Sequence, residues 1–150
     1  MIDCKFENGN EANLRHVTVD TIVLSRDKTE ILLAKRAEGI PDAGKWCLPG
    51  GYMERDETTK QTAERETLEE TGYEITDIKF LTFNDNPKRV GGESQNVNFL
   101  YTAIAADQTG KPDDESSEIR WFKLDELPDK SQIAFDHFEI VTNSIDQLNA

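Results

Sequence analysis

Cysteine is scarce in this chain. Cys4 and Cys47 are the two present in 150 residues. They lie far apart and form no CxxC pair, so neither a disulfide framework nor a zinc site is suggested. Two unpaired thiols in a reducing cytoplasm is the expectation. Long apolar runs are also missing. No stretch approaches the roughly 18 residues that a membrane span needs. The start, Met1-Ile2-Asp3-Cys4-Lys5, lacks the basic-then-apolar order of a signal peptide. Positive charge is in deficit as well, with 17 Lys and Arg against 30 Asp and Glu, a formal charge of −13. Such a surface repels nucleic-acid phosphates and anionic membranes. It speaks against a polymeric nucleic acid or a membrane as partner, and leaves a small phosphorylated substrate possible if a cation intervenes.

The composition, 36% apolar and 31% charged, is that of one globular domain. No repeat or low-complexity tract divides it. Residues 1–15 are polar and read as a loose lead-in of unassigned structure; residues 16–150 form the domain. His16–Leu24 is β-branched and partly alternating, a strand, and Ile31–Lys35 follows as a second strand across a polar turn. Ala37–Lys45 is a loop, and Pro49-Gly50-Gly51 forces a change of direction in the apolar run Trp46–Met53. Thr58 and Gln61 have capping-box spacing and Gly72 suits a helix end, which brackets a helix over Thr58–Thr71. Glu74–Phe83, Val97–Ala105 and Ile119–Lys123 read as strands. Ala134–Leu148 has helical apolar spacing. The sum is a mixed α/β (α+β) domain with helices flanking a sheet.

The helix carries the chemistry. Glu66, Glu69 and Glu70 stand at i, i+3 and i+4, so their carboxylates share a face. The like-charge pair Glu66 and Glu70 costs an isolated helix roughly 0.2–0.5 kcal/mol, which a bound cation would cancel. Oxygen ligands without His or Cys favour Mg²⁺ or Mn²⁺. Acidic helix faces are also commonly just solvated, so the cluster alone leaves both readings open.

Its surroundings decide between them. Gly51, Glu57, Arg65, Glu66, Glu69, Glu70 and Gly72 resemble the Nudix box, G-x5-E-x7-R-E-U-x-E-E-x-G-U with U apolar, at every fixed position. With about 7% usage per residue type, chance gives on the order of 10⁻⁸ per start position. Thr67 and Tyr73 depart from the pattern at its two apolar positions, which bear on packing. Trp46–Gly51 and Trp121–Leu127 resemble the family's lead-in and closing strand. The resemblance implies an α/β/α sandwich and a divalent-metal-dependent pyrophosphohydrolase. It implies Glu66, Glu69, Glu70 and the Gly50 carbonyl as metal ligands, with Gly51, Glu57, Arg65 and Gly72 as structural support. A further acid is expected before the closing strand, Glu115 by spacing, with Glu118 the competitor. Glu70 or Glu66 would be the general base, or else an acid on a later loop, where Glu93 is the candidate.

The substrate is less legible. Lys88 and Arg89 form a basic island in the polar loop Asn84–Asn96, which either holds a second phosphate or a terminal ribose, or is solvated. Phe83, Tyr101, Trp121 and Phe135 are stacking candidates that sit in apolar runs and read equally as core. His16 and His137 show no partner pattern and receive no role. Phe83–Pro87 and the strand after it resemble family members that cleave ADP-ribose, and a homodimer goes with that resemblance. The alternatives are a pyrophosphohydrolase of (d)NTPs, oxidised ones included, and, from another class, a non-catalytic nucleotide sensor.

Overall fold

The computed structural model describes residues 2–89 and 95–148, with side chains up to residue 145 in the last helix. The strand with the longest buried run organises the fold. Strand β3 (Val17–Leu24), after the short strands β1 (Ile2–Lys5) and β2 (Glu11–Leu14), is buried almost throughout. Its period-2 alternation sends Ile22 and Leu24 into one core cluster and Val19 into another. Strand β4 (Glu30–Arg36) is its antiparallel neighbour, and β8 (Val97–Gln108) runs parallel to it on the other side. β7 (Tyr73–Asn84) pairs antiparallel with β8 at the sheet edge. The sheet is therefore mixed, as expected.

β3 and β4 share the single rung Leu24↔Ile31 before they part. Beyond it, β6 (Gly50–Tyr52) pairs along the start of β3, while β5 (Trp46–Cys47) and β9 (Ser116–Lys123) pair with β4. The diverging ends, Thr18 and Asp20 of β3 and Arg36 of β4, line one cavity. Helix α1 (Thr59–Thr71) packs against the sheet through Thr62, Ala63, Thr67 and Thr71, all fully buried. These small residues bring the helix backbone close to the strands. Helix α2 (His137–Leu148) follows a 3₁₀ turn at Lys130–Gln132 and packs Val141 into the cluster of Ile22 and Leu24. Among the described residues no helix is long and apolar enough to cross a membrane.

The segment before residue 16 differs from the expected loose lead-in. β1 and β2 form an antiparallel hairpin, and Gly9 at its turn has φ +86°. Asn8-Gly9 supplies the left-handed backbone that such a turn requires. Arg15, just beyond it, donates from Nε to the Gln95 carbonyl at 2.5 Å and from Nη2 to Asp85 and Asn96 carbonyls at 2.8 and 3.2 Å. One guanidinium thus ties both ends of the 85–96 loop.

Candidate active site

Thr58 caps α1 with the expected reciprocal bonds to Gln61, and Gly72 ends it at φ +74°. A Cβ on Gly72 would also lie 2.4 Å from the Gly110 carbonyl oxygen. That closeness lets the Thr109 and Gly110 amides donate to the Gly72 carbonyl, and the Asp113 amide donates to Glu69. The loop leading to Glu115 is thereby fastened to the end of the helix.

Arg65 gathers the acids. Its Nε donates to Glu57 Oε1 at 2.6 Å and its Nη2 to Glu57 Oε2 at 3.0 Å. Nη1 donates to Glu66 Oε1 at 2.8 Å and Glu69 Oε2 at 3.1 Å, and Nη2 reaches the Tyr52 carbonyl. The Arg65 fork holds the Glu57 carboxyl down to about 2. Glu66 is pushed up, chiefly by burial, against the pull of Arg65. Glu70 is 6% exposed and accepts from the Gly50 amide at 3.0 Å. Burial raises its carboxyl to about 8, and Glu66, Asp113 and Glu115 add to the rise against the Gly50 hydrogen bond. Gly51 is the residue that fits against Glu66, since a Cβ there would lie 2.5 Å from Oε1.

Glu66, Glu70, Glu115, Gly50 and Gly51 line a cavity of about 530 Å³. Glu118, the competitor of Glu115, turns instead to Lys35 and Arg120. Glu93 lies outside the described residues. Among the described residues, no three His, Cys, Asp or Glu side chains are gathered closely enough to cage an ion as they stand. The reason is local: Arg65 engages Glu66 and Glu69, and Gly50 engages Glu70. The donor set nevertheless fits a hard divalent ion. It consists of carboxylates and a carbonyl, and burial raises both Glu66 and Glu70, so a cation would favour the ionised carboxylates that burial alone disfavours.

The basic island divides. Lys88 is exposed. Arg89 lines the cavity, but its Nε and Nη2 each donate to Asp136 at 2.7 Å, and Asp20 Oδ2 lies 3.6 Å from Nη2. Its charge is already matched. Phe83 is 54% exposed rather than core, because β7 is an edge strand. Tyr101 is buried and bonds Thr59 through its hydroxyl, and Trp121 packs on Tyr73. Phe135 lines the cavity with the Arg36 guanidinium 4.9 Å from its ring centroid.

Arg36 was not singled out in the sequence, nor were Asp20 and Asn98. Arg36 Nε donates to the Pro41 carbonyl, and among the described residues no carboxylate pairs with it. His137, given no role above, is 4% exposed and faces Asp20 at 3.4 Å. Burial alone would raise Asp20, but His137, Arg89 and Asn98 outweigh it and hold the carboxyl low. Asp20 did carry a signal, a lone acid inside the buried run Val17–Leu24. The two cysteines are free, and burial pushes the Cys47 thiol up to about 12.

The NUDIX domain profile matches residues 14–143, and the chain belongs to the Nudix family. An ADP-ribose pyrophosphatase of Methanocaldococcus jannaschii is 34% identical over 127 residues, covering 83% of this chain and 70% of that protein. A CMP-5'-(N-acetyl-N-hydroxy-3-aminopropyl)phosphonate hydrolase of Streptomyces rubellomurinus is 34% identical over 70% of this chain, which spans only half of that relative's length. Among solved structures, the NUDIX domain of Shewanella oneidensis NrtR complexed with ADP ribose superposes with a TM-score of 0.75 at 26% identity, covering 91% of this chain and 90% of that one.

Proposed function

We propose that the protein hydrolyses the phosphoanhydride bond of a nucleoside diphosphate linked to a second moiety, with an ADP-ribose-like substrate, in the presence of Mg²⁺ or Mn²⁺. The observation that carries this reading is the joining, in one cavity, of Glu66, Glu70 and Glu115 with Arg36, whose guanidinium has no carboxylate partner among the described residues. The ADP-ribose pyrophosphatase relative and the ADP-ribose-bound NUDIX domain support the substrate class.

Glu66, Glu69, Glu70 and Glu115, with the Gly50 carbonyl, would hold the ion. Bound there, it supplies charge neutralisation and Lewis-acid polarisation of the diphosphate oxygens. Arg36, stacked on Phe135, anchors a phosphate and orients it. Glu70 accepts the proton of the attacking water, and Glu66 is the other acid in reach of that role. Arg65 and Glu57 keep the carboxylates in place. Two free thiols suit a reducing cytoplasm. A homodimer is expected, which light scattering on the eluting protein would test.

The decisive assay offers ADP-ribose, NADH, dinucleoside polyphosphates, dNTPs and oxidised dGTP with Mg²⁺ and with Mn²⁺. Release of AMP from ADP-ribose, abolished by chelator and by Glu69→Gln or Glu70→Gln, is the expected result. Nucleotide binding without turnover of any of them would favour a sensor. Undiminished turnover in both variants would sink the metal-site assignment.

A further inference from the structure

We propose that Asp20 selects the substrate's second arm by accepting a hydrogen bond from a hydroxyl group on it, so that a sugar arm is favoured over a phosphate chain. The inference rests on the hydrolase reading above. Asp20 is 8% exposed and lines the cavity beside Gly50, the residue whose amide holds Glu70.

One oxygen of Asp20 is left open by its hydrogen-bond partners. An ionised carboxylate only accepts. Asn98 must therefore turn its amide nitrogen to Asp20 Oδ2, at 2.8 Å, and its own oxygen to the Thr18 hydroxyl, at 3.0 Å. His137 Nδ1 accepts from the Leu48 amide at 3.0 Å, so that nitrogen carries no proton and the ring hydrogen sits on Nε2, facing Oδ2 at 3.4 Å. Arg89 also approaches Oδ2. The polar neighbours converge on Oδ2, while Oδ1 meets no donor among the described residues and lies next to Gly50.

Charge points the same way. Asp136 matches Arg89 in a bidentate pair, and Arg89 and His137 both approach Asp20 at Oδ2, so Oδ1 faces no cation among the described residues. A phosphate placed against Oδ1 would set acceptor against acceptor and anion against anion. A ribose-type arm instead offers hydroxyl donors to an acceptor that has none, the arrangement that makes a site reject analogues lacking the hydroxyl.

The test compares kcat/KM for ADP-ribose, the ethyl ester of ADP, whose second arm has no hydroxyl, and ATP. Wild-type enzyme should prefer ADP-ribose to the ethyl ester by roughly tenfold to a hundredfold, the range for a hydrogen bond to a charged group. In Asp20→Asn the side-chain oxygen stays at the Oδ2 position, because Asn98 and His137 both donate there. The amide NH₂ then replaces the open acceptor. The preference for ADP-ribose over the ethyl ester should collapse, and that over ATP should fall with it. Equal rates for ADP-ribose and the ethyl ester in wild type would overturn the proposal, as would an unchanged preference in the folded variant. If the variant does not fold, ribose 5-phosphate should inhibit the wild-type enzyme more strongly than ethyl phosphate, and equal inhibition by both overturns the proposal. No turnover of any of the three overturns the hydrolase reading itself and this one with it.

Discussion

Arg65 grips both carboxylate oxygens of Glu57, at 2.6 and 3.0 Å, while its remaining nitrogen binds Glu66 and Glu69. A planar fork makes these bonds together, and a lysine ammonium does not reproduce the two parallel contacts. Arg65→Lys should therefore lower stability by roughly 1–3 kcal/mol and lower turnover as well, because the acids lose their common partner. Urea unfolding and steady-state kinetics on one preparation check both effects.

Glu57 and Glu70 are shifted in opposite directions, which gives two separable pH signatures. Glu57 is held at about 2, below its usual 4.5, so its contribution to stability is present above 4.5 and is lost as pH falls toward 2. Glu70 is raised from 4.5 to about 8. The unfolded chain releases that proton first, so metal-free protein should lose stability between about 4.5 and 8. Glu70→Gln should remove the Glu70 share of this loss and leave that of Glu66, which burial also raises, and saturating Mg²⁺ should suppress the loss in wild type by favouring the carboxylates. Melting temperature against pH, with chelator and with Mg²⁺, reads out both. A flat profile in chelator from pH 5 to 8 contradicts the Glu70 assignment.

Two glycines of the box should fail differently. A Cβ at Gly51 meets the end of the Glu66 side chain, whereas one at Gly72 meets the Gly110 backbone oxygen and also demands a left-handed conformation. A side-chain end moves readily and a backbone does not. Gly51→Ala should leave the melting temperature nearly unchanged and cut activity at least tenfold by displacing Glu66, on the order of 1.4 kcal/mol. Gly72→Ala should destabilise by at least about 1 kcal/mol. Paired melting and activity measurements distinguish the two.

How the sequence conveyed this site depended on chain distance. Glu66, Glu69, Glu70, Arg65 and Glu57 lie within one helix and its lead-in, so their fixed spacing marks them as one group. Asp20, Asn98, Arg89, Asp136 and His137 come from β3, β8, a loop and the start of α2, and only strand pairing and the packing of α2 bring them together. Arg89 looked like a free cation because its partner is 47 residues away. The strands and α1 were legible from β-branching, alternation and caps. The hairpin of β1 and β2 was not, because its strands are polar and the Asn8-Gly9 turn stands without the flanking apolar alternation that normally marks one.

The two arginines of the cavity should separate binding from folding. Arg36 stacks on Phe135 and has no carboxylate partner among the described residues. Removing it costs little structure but takes away a charge aimed at the substrate. Arg36→Gln should raise KM by roughly tenfold or more with a smaller change in kcat, the mark of lost ground-state binding. Arg89 satisfies Asp136 in a bidentate pair and lies near Asp20. Arg89→Gln strands two poorly exposed carboxylates, a change that costs roughly 3–5 kcal/mol when such a pair is fully buried. Its main effect should be a fall in melting temperature, and Asp136→Asn in the same background should recover part of it. A large KM change in Arg89→Gln with no loss of stability would reverse the two assignments and make Arg89 the anion anchor.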